Sequence, residues 1–366
     1  MKIAVATLIF LLLIYLLIWP VPIQSQSWDA PRAPGYVGQH TVNQRLSKLN
    51  PIDLKGHEGP EHVAVSPDGK LYTALANGHI ARMHPDGSNF EVWVNTGGRV
   101  LGFDFDADGN LIAADAMQGI LKITPDGAIA VLIDQIAGEP IQYPNSVMIA
   151  QDGTIYFTDS SKRFAPSAWG GTFEATLLDI VEQSASGRVI AYHPLHGTAR
   201  IVVQGLSFAN GITLSKDEQS LLVVETGRYR VWKIAAQAEN LDVQIASSQA
   251  AILLDNLPGY PDNLMRGLDG KIWLGLAKPR NAAIDFMSDK PLLRKMVLRF
   301  PRFLWPMPES YGHVIAFDEA GQIVSDLQDP SGSYPETTGV TETSDRLYIQ
   351  SLHAKNLGWL DKSHLK

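Results

Sequence analysis

Four oxygen-bearing side chains stand at equivalent places in a repeated turn pattern. Beyond about residue 55, six turns of the Asp-Gly type or a close variant recur, each flanked by β-rich runs. Seven residues before the aspartate of each turn, where the preceding strand should begin, the chain places two carboxylates, two amides and two residues of other types. If the six turns belong to copies of one unit, these side chains converge around a common axis. In chain order they are Glu61, Leu101, Asn145, Asn210, Asp262 and Thr338.

This donor set favours a hard cation. Calcium takes about six to eight oxygen ligands from carboxylates, amide carbonyls, water and substrate. Zinc or copper would require histidine or cysteine among the six positions, and neither is there. The alternative is that Asn and Asp before a strand are ordinary turn residues. Against it, a bulky or rigid dipeptide precedes each oxygen side chain, such as Tyr-Pro before Asn145 and Asp262. We therefore predict a calcium site.

The elements that must position these residues are short hairpins. Asp-Gly between alternating hydrophobic residues is a strong hairpin signal, and most copies carry a second turn, such as His-Pro-Asp-Gly at 84–87. Two hairpins per copy make a four-stranded unit. Six such units at spacings of 40 to 76 residues predict an all-β, six-bladed β-propeller. The repeated segments are VAVSPDGKLYTAL (63–75), FDFDADGNLIAAD (103–115), VMIAQDGTIYFTD (147–159), ITLSKDEQSLLVVE (212–225), LMRGLDGKIWLGL (264–276) and VTETSDRLYIQSL (340–352).

The composition agrees with this architecture. The 366-residue chain contains 31 Gly and 22 Pro, which suits frequent turns and few long helices. The absence of cysteine excludes disulfides, thiolate metal sites and a cysteine nucleophile. The formal net charge of −8 argues against a nucleic-acid partner, because phosphate binding requires a basic face.

An apolar segment at the N-terminus predicts a membrane anchor. Residues 3–19 are apolar apart from Thr7 and follow Lys2. As a helix they would span roughly 25 Å, slightly less than a hydrocarbon core of about 30 Å. A cleaved signal peptide is the main alternative, but its apolar region would be shorter and would end in an A-x-A-like site, which does not follow here. A buried helix is the third possibility.

The predicted organisation is a transmembrane signal anchor over residues 1–23, a tether and first-blade lead-in over 24–54, and the propeller over 55–366. Because the positive charge precedes the apolar segment, we expect the propeller on the non-cytoplasmic side of the membrane. An exported chain without cysteine fits a bacterial periplasm.

Two long insertions between copies of the repeat are predicted to lie over the calcium site. The second strand of each copy returns towards the ring of ligands, so the insertions that follow it, at about 160–187 and 278–312, should lie over the mouth. The second insertion has apolar residues at roughly helical spacing and a basic stretch over 278–302. Three interpretations are open: a lid that rests on the membrane surface, attraction of anionic substrates, or a lid packed inward with solvated charges. Its basic residues are Lys278, Arg280, Lys290, Arg294, Lys295, Arg299 and Arg302.

Four segments resemble the calcium-dependent six-bladed propellers, which include strictosidine synthase-like proteins, paraoxonases and the senescence-marker-protein/gluconolactonase group. In particular, the chain resembles the strictosidine synthase-like branch that contains adipocyte plasma membrane-associated protein, over roughly residues 55–360. The segments are GRVLGFDFDADGNLIAADAMQGILKI, YPNSVMIAQDGTIYFTDSS, FANGITLSKDEQSLLVVETGRYRVWKI and LPGYPDNLMRGLDGKIWLGL. The resemblance implies lactonase or arylesterase activity and a calcium ion bound by Glu61, Asn145, Asn210 and Asp262, with Asn263 also facing the metal.

The chain departs from these families at several functional positions. Paraoxonases carry a proton-shuttling histidine where this chain has Leu101, and the family's second calcium uses acidic residues where this chain has His62 and Ser146. We therefore do not expect a structural second calcium. Strictosidine synthases proper have a catalytic glutamate at the position of Thr338. Its absence disfavours the amine–aldehyde condensation.

The chemistry expected of such a site is hydrolysis of a small-molecule lactone or ester, because calcium with open positions is a Lewis acid that polarises a carbonyl oxygen. Asp262 is the candidate general base or nucleophile. His353 could reach the mouth from the last blade, although a rim histidine bonded to backbone is the favoured interpretation; His57 and His313 are weaker candidates. The alternative function is a non-catalytic, membrane-tethered binding propeller with structural calcium. The G-x-S-x-G, H-E-x-x-H and Walker motifs are absent from the sequence.

Overall fold

Six sheets, one for each copy of the sequence repeat, form the body of the structure. The computed structural model describes residues 2–365, so the first residue of the predicted anchor and the last of the predicted propeller segment lie outside the description. Each sheet has four antiparallel strands, and one gains a short fifth strand that runs parallel to its neighbour. The predicted all-β, six-bladed β-propeller is confirmed.

The strands follow one another around the ring in chain order. The first, β1 (Asn50–Asp53), precedes the first sheet, which contains β2 (His62–Val65), β3 (Leu71–Ala74), β4 (His79–Met83) and β5 (Glu91–Asn95). The second sheet contains β6 (Val100–Phe105), β7 (Leu111–Asp115), β8 (Gly119–Ile123) and β9 (Ile129–Ile133). After a two-stranded ribbon of β10 (Gln135–Ile136) and β11 (Glu139–Pro140), the third sheet contains β12 (Pro144–Ile149), β13 (Ile155–Asp159), β14 (Gly187–His193) and β15 (Thr198–Leu206).

The remaining three sheets repeat this order. The fourth contains β16 (Ala209–Leu214), β17 (Ser220–Glu225), β18 (Arg230–Ala235) and, after the short β19 (Leu241–Asp242) that joins the edge of the third sheet, β20 (Ala250–Leu254). The fifth contains β21 (Gly259–Arg266), β22 (Ile272–Pro279), β23 (Gly312–Phe317) and β24 (Ile323–Asp329). The sixth contains β25 (Thr337–Glu342), β26 (Arg346–Ser351) and β27 (Asn356–Asp361), with β1 at its outer edge.

The N-terminal strand closes the ring. β1 pairs antiparallel with β27, with Asn50 opposite Trp359, so the sixth sheet is built from both ends of the chain. Residues 50–53 of the lead-in over 24–54 therefore complete the last blade before the chain enters the first. Hydrogen bonding between the two ends fills an edge that would otherwise be left open.

The segment expected to be a tether runs along the propeller surface. The backbone amides of Gln26 and Trp28 donate to carbonyls of Glu182 and Ser288, at 2.8 and 3.0 Å. Further along, the side chain of Leu46 is almost completely buried. These contacts fix the segment to both mouth insertions and to the propeller.

In the described part of the chain, four α-helices accompany the strands: α1 (Lys2–Ile18), α2 (Thr172–Glu182), α3 (Ala282–Phe286) and α4 (Pro291–Val297). Among residues 2–365, none of the helices combines the length and the apolar character needed to cross a membrane, and the transmembrane anchor stays a prediction. The second insertion forms two short helices rather than one, and Pro291 begins the second of them because its missing N–H costs nothing in a first turn.

The core lies between neighbouring blades. Val100 and Leu111 of the second sheet, for example, pack with Ala74 and Ile80 of the first. Near the axis, glycine permits a closer approach: a Cβ on Gly211 would lie 2.4 Å from the carbonyl oxygen of Asp262 on the next blade. The innermost strands can therefore bring side chains from different blades together.

Candidate functional site

The six residues predicted from the turn spacing all lie at the beginnings of the innermost strands, and all are buried. Five of them line one central cavity, while the hydroxyl of Thr338 donates to the carbonyl oxygen of Glu61 at 2.8 Å. Their positions are Glu61 just before β2, Leu101 in β6, Asn145 in β12, Asn210 in β16, Asp262 in β21 and Thr338 in β25.

A local irregularity of the strands aims these side chains at the axis. In five of the six blades, the pairing of the innermost strand with its neighbour shifts register at the ring residue. In the third blade, for example, the shift lies between Pro144 and Val147 and contains Asn145. Such a β-bulge turns a side chain away from the regular alternation of a strand. The rigid dipeptides seen in the sequence therefore coincide with strand distortions at the site.

Two buried amide side chains at the ring fit a hard cation. The side-chain carbonyl oxygens of Asn210 and Asn263 are buried and have no hydrogen-bond partner in the described part of the chain, whereas the amide nitrogen of Asn263 donates to the backbone oxygen of Glu61 at 3.2 Å. Buried carbonyl oxygens without a partner cost free energy. A cation with oxygen ligands would satisfy both.

The two carboxylates of the ring have raised pKa values. Burial raises the pKa of Asp262 well above its usual value, and the nearby Glu61 adds to the rise. Burial also raises the pKa of Glu61, although Arg99 opposes that change. Like charges held close together in a buried site disfavour ionisation, so a bound cation would favour the ionised form of both acids.

Arg99 is a site residue that the sequence reasoning missed. Its guanidinium forms an ion pair with the carboxylate of Glu61, and both side chains are buried. Its backbone amide donates to Asp115 at 3.1 Å, which fixes the start of β6. This arginine therefore offsets the charge of one predicted ligand.

Glu336 at the mouth was missed as well. Its carboxylate accepts a hydrogen bond from Nδ1 of His353 and lies 2.7 Å from Nζ of Lys278. The hydrogen bond to Glu336 raises the pKa of His353. Although burial opposes it, the same pairing lowers the pKa of Glu336 to about 2. His353 lines the cavity, and its Nδ1 bonds to a carboxylate rather than to the backbone.

A common spacing could have revealed both missed residues. Arg99 and Glu336 each stand two positions before a ring residue, and three of the corresponding residues in other blades also line the cavity. The channel wall thus has a second layer that continues the sequence repeat. These three residues are Tyr143, Phe208 and Tyr260.

Comparison with known proteins places the chain in a family. The family model described as "Strictosidine synthase-like, N-terminal" matches residues 38–83, and that described as "Strictosidine synthase" matches residues 145–239. Strictosidine synthase-like protein 7 of Arabidopsis thaliana is 31% identical over 311 residues, which cover 82% of this chain and 78% of the plant protein. The chain belongs to the strictosidine synthase-like family.

Two further likenesses extend the comparison. Adipocyte plasma membrane-associated protein of Danio rerio is 28% identical over 98% of this strictosidine synthase-like chain and 89% of its own length. Among solved structures, a gluconolactonase from Xanthomonas campestris has a TM-score of 0.59 at 19% identity, covering 93% of this chain and 96% of that one. A calcium-binding regucalcin from Agrobacterium tumefaciens has a TM-score of 0.56 at 12% identity, covering 85% and 93%. Both structures share the fold.

The basic residues of the second insertion are mostly bonded within this strictosidine synthase-like chain. Arg294 donates to the carbonyl oxygen of Val181 at 2.7 Å, and Arg299 donates to those of Trp19 and Leu16 at 2.6 and 2.8 Å. Four others form ion pairs: Lys278, Arg280, Lys290 and Arg302. The inward-packed interpretation therefore describes the arginines better than an open positive patch does.

The structure shows the surroundings of the residues at which the chain departs from the pattern of related propellers. Leu101 gives the cavity an apolar wall where paraoxonases have histidine. His62 packs against Phe103 with ring centroids 4.6 Å apart, and burial lowers the pKa of His62 to about 4, so its imidazole is neutral at pH 7. His57 and His313, the weaker candidates, are not among the described residues that line the cavity.

Proposed function

We propose that this strictosidine synthase-like propeller is a calcium-dependent hydrolase of lactones or esters. The observation that supports the proposal most directly is that oxygen-bearing side chains from four blades line one cavity, and that the buried amide oxygens of Asn210 and of Asn263, the neighbour of Asp262, have no hydrogen-bond partner among the described residues. The proposed ligands are Glu61, Asn145, Asn210, Asp262 and Asn263. The fold shared with a gluconolactonase and a calcium-binding regucalcin is consistent with it.

When bound to these oxygens, calcium supplies a Lewis acid that polarises the substrate's carbonyl oxygen. The residues of the chain must then transfer one proton. As water adds to the carbonyl carbon and the bond to the leaving oxygen breaks, a proton passes from the water to a base and then to that leaving oxygen.

Two residues that line the cavity are candidates for this base. Asp262 lies at the bottom among the proposed ligands, whereas His353 lies at the mouth, with a half-exposed side chain. We assign the base to His353, because Glu336 holds its Nδ1 and leaves Nε2 as the proton acceptor. In this assignment Glu336 is a positioning residue, and Asp262 would hold the metal and orient the attacking water.

The cavity indicates the kind of substrate. Its volume is about 530 Å³, and most of its wall is apolar. We therefore propose lactones with alkyl chains, or esters with aryl or long acyl groups, rather than polyhydroxylated lactones. Each buried methylene contributes about 0.8 kcal/mol, so kcat/KM should rise about fourfold per added methylene until the cavity is full. Apolar wall residues include Leu101, Phe173, Phe208, Met287 and Trp305.

A hydrolysis screen with and without EDTA tests the function. Aryl acetates, alkyl lactones of increasing length and gluconolactone are compared, and calcium should restore activity lost to EDTA. Asp262→Asn should abolish calcium-dependent thermal stabilisation and lower turnover at least about 100-fold. Asp104→Asn is the matched control, because Asp104 is a partly buried acid of β6 that is not among the cavity-lining residues described.

The outcomes separate the candidate functions. Full activity in Asp262→Asn would contradict the hydrolase proposal. Calcium binding and stabilisation with no turnover across the whole panel would favour the non-catalytic binding propeller. Equal loss of activity in Asp104→Asn would show that the effect of Asp262→Asn is one of folding.

Membrane attachment through α1 and the rim of the mouth is also part of the proposal, with the propeller on the non-cytoplasmic side. The exposed fractions of Ile3, Leu8 and Phe303 are 84%, 68% and 83%. The hydroxyl of Tyr15 donates to the carbonyl oxygen of Arg299 at 3.0 Å, which ties α1 to the second insertion. Large apolar surfaces of this kind mark interaction sites, and relatives named plasma membrane-associated support the choice of a lipid surface.

Flotation with phosphatidylcholine vesicles, with and without phosphatidylglycerol, tests this attachment. The full chain should float with the vesicles, and Leu8→Glu should weaken the binding because it places a charge on the apolar face of α1. Leu195→Ser is the matched control, since Leu195 is 86% exposed on the turn between β14 and β15. No flotation, or an equal loss in the control, would contradict the proposal.

A further inference from the structure

Three potential metal ligands from distant parts of the chain meet outside the central cavity, at the outer edge of the fifth sheet. His40 ends a 3-10 turn (Gly38–His40), His313 lies in β23 and Asp326 lies in β24. Nδ1 of His40 is 2.8 Å and Nε2 of His313 is 3.0 Å from Oδ2 of Asp326. The three ligand atoms all lie within 4.8 Å of one another.

Strand register explains why two of these side chains meet. His313 stands opposite Gln328, and Ile315 stands opposite Asp326. Because side chains alternate along a strand, those of His313, Asp326 and Gln328 lie on the same face of the sheet. The N-terminal segment crosses this face and brings His40 to it, held by a hydrogen bond from the amide of Leu46 to the carbonyl oxygen of Gln328 at 3.0 Å.

The carboxylate of Asp326 is held in one orientation. Its Oδ1 accepts hydrogen bonds from the side-chain amides of Asn43 and Gln328, at 3.2 and 2.5 Å. Oδ2 is therefore directed at the two imidazoles. Partners that orient a ligand from behind in this way are a regular feature of metal sites.

Burial and access both suit a bound ion. The side chains of His313 and Asp326 are 1% and 8% exposed, while that of His40 is 14% exposed. An ion could thus exchange with solvent on the side of His40. None of the three residues is among the described residues that line the central cavity.

We propose that His40, His313 and Asp326 bind a borderline divalent cation of the zinc type, with water as the fourth ligand. Two imidazole nitrogens and one carboxylate oxygen are a donor set that zinc takes. A tetrahedral site with bonds of about 2.0–2.1 Å places neighbouring ligand atoms about 3.3 Å apart, so the present contacts would open by only about 0.3–0.5 Å. The ion would clip the N-terminal segment to the fifth blade.

This site differs in chemistry from the proposed calcium site. Calcium prefers oxygen ligands throughout, whereas imidazole suits zinc and related ions. Zinc binding here should therefore persist when the central site is saturated with calcium. A purely hydrogen-bonded cluster of the same three residues is the competing explanation.

Zinc titration of the full-length, chelator-treated chain in the presence of saturating calcium tests the proposal. One zinc ion should bind per chain and raise Tm. His40→Ala should weaken zinc binding at least about 100-fold, because it removes one of three protein ligands. Asp326→Asn, which keeps the shape of the side chain, should do the same, whereas Asp262→Asn should leave zinc binding unchanged.

His196→Ala is the control for adventitious binding, because the rings of His193 and His196 lie 4.5 Å apart. The proposal is wrong if the wild-type chain binds no zinc, if His40→Ala leaves the affinity unchanged, or if His196→Ala removes the binding. It is also wrong if His40→Ala lowers Tm equally with and without zinc, since the cluster is then held by hydrogen bonds alone.

Discussion

Replacing Arg99 by methionine distinguishes two ways of compensating the buried carboxylate of Glu61. In the structure the guanidinium of Arg99 pairs with Glu61, and we expect this pair in the calcium-free chain. In the calcium-bound chain the ion itself would supply the positive charge. Arg99→Met therefore leaves Glu61 uncompensated only in the calcium-free chain, and the loss of stability should depend on calcium.

The magnitude follows from the burial of the pair. The side chains of Arg99 and Glu61 are 9% and 6% exposed, so solvent screening is small. Removing one partner of a buried pair costs about 3–5 kcal/mol. For a chain of this length the entropy of unfolding is roughly 0.8 kcal/mol/K, so Tm should fall by about 4–6 °C without calcium. With calcium bound, the loss should be about 1 kcal/mol or less.

Thermodynamic linkage relates this difference in stability to a difference in affinity for calcium. If the variant loses about 2 kcal/mol more stability without calcium than with it, calcium must bind the variant roughly 30-fold more tightly. The assay is thermal unfolding of wild type and variant in EDTA and in saturating calcium, combined with calcium titration by calorimetry.

Arg188→Met is the matched control. Arg188 forms a buried ion pair with Asp159 at 2.9 Å, and neither residue is among the described residues of the cavity wall. Its loss should destabilise the chain equally with and without calcium. If Arg99→Met also destabilises equally in both conditions, or weakens calcium binding, the assignment of Glu61 as a shared partner of Arg99 and calcium is refuted.

Three further predictions concern the site and the fold. Asp262→Asn should stabilise the calcium-free chain more at pH 8 than at pH 5, because the raised folded pKa of Asp262 makes the wild type lose stability progressively as pH rises above the unfolded value. Thermal scans in EDTA that show the same gain at both pH values would contradict this. Glu336→Gln should lower the pKa of His353 and so move the acid limb of the pH profile of kcat/KM to lower pH, with a fall in kcat of about tenfold or more. An unchanged pH profile would contradict the role of Glu336. Gly275→Ala should prevent folding, because the added Cβ would lie 2.1 Å from a backbone carbonyl carbon of the sixth blade. Gly138→Ala is its control, since the added Cβ meets open space and should cost only about 1 kcal/mol of stability; the yields of soluble protein compare the two variants.

The sequence repeat predicted more of the central site than its individual motifs did. Counting from the turn aspartates identified Asn145, Asn210 and Asp262 as neighbours although they are far apart in the chain, because equivalent positions in a closed ring face the same axis. The same reasoning placed long insertions after the second strands, and residues of both line the cavity. The count failed for Arg99 and Glu336 only because it was not extended by two positions.

Other features had no signal in local sequence. β1 completes the sixth blade because the two ends of the chain meet there. The hydrophobic pattern of a four-residue strand does not indicate which strand it pairs with. The sequence also did not predict that Arg294 and Arg299 point inward. A run of basic residues has the same sequence pattern whether its charges are solvated or donate to carbonyl oxygens of a neighbouring segment.

By itself the sequence determined the propeller, its six-fold repeat and the oxygen-rich ring, because turn chemistry and strand periodicity act over a few residues and repeat. Only the tertiary structure decided which charges face one another: Arg99 with Glu61, Glu336 with His353, and His40 with Asp326 across 286 positions. Each pairing depends on side-chain direction and on the packing of separate blades. These are properties of the closed ring, and no stretch of the chain contains them on its own.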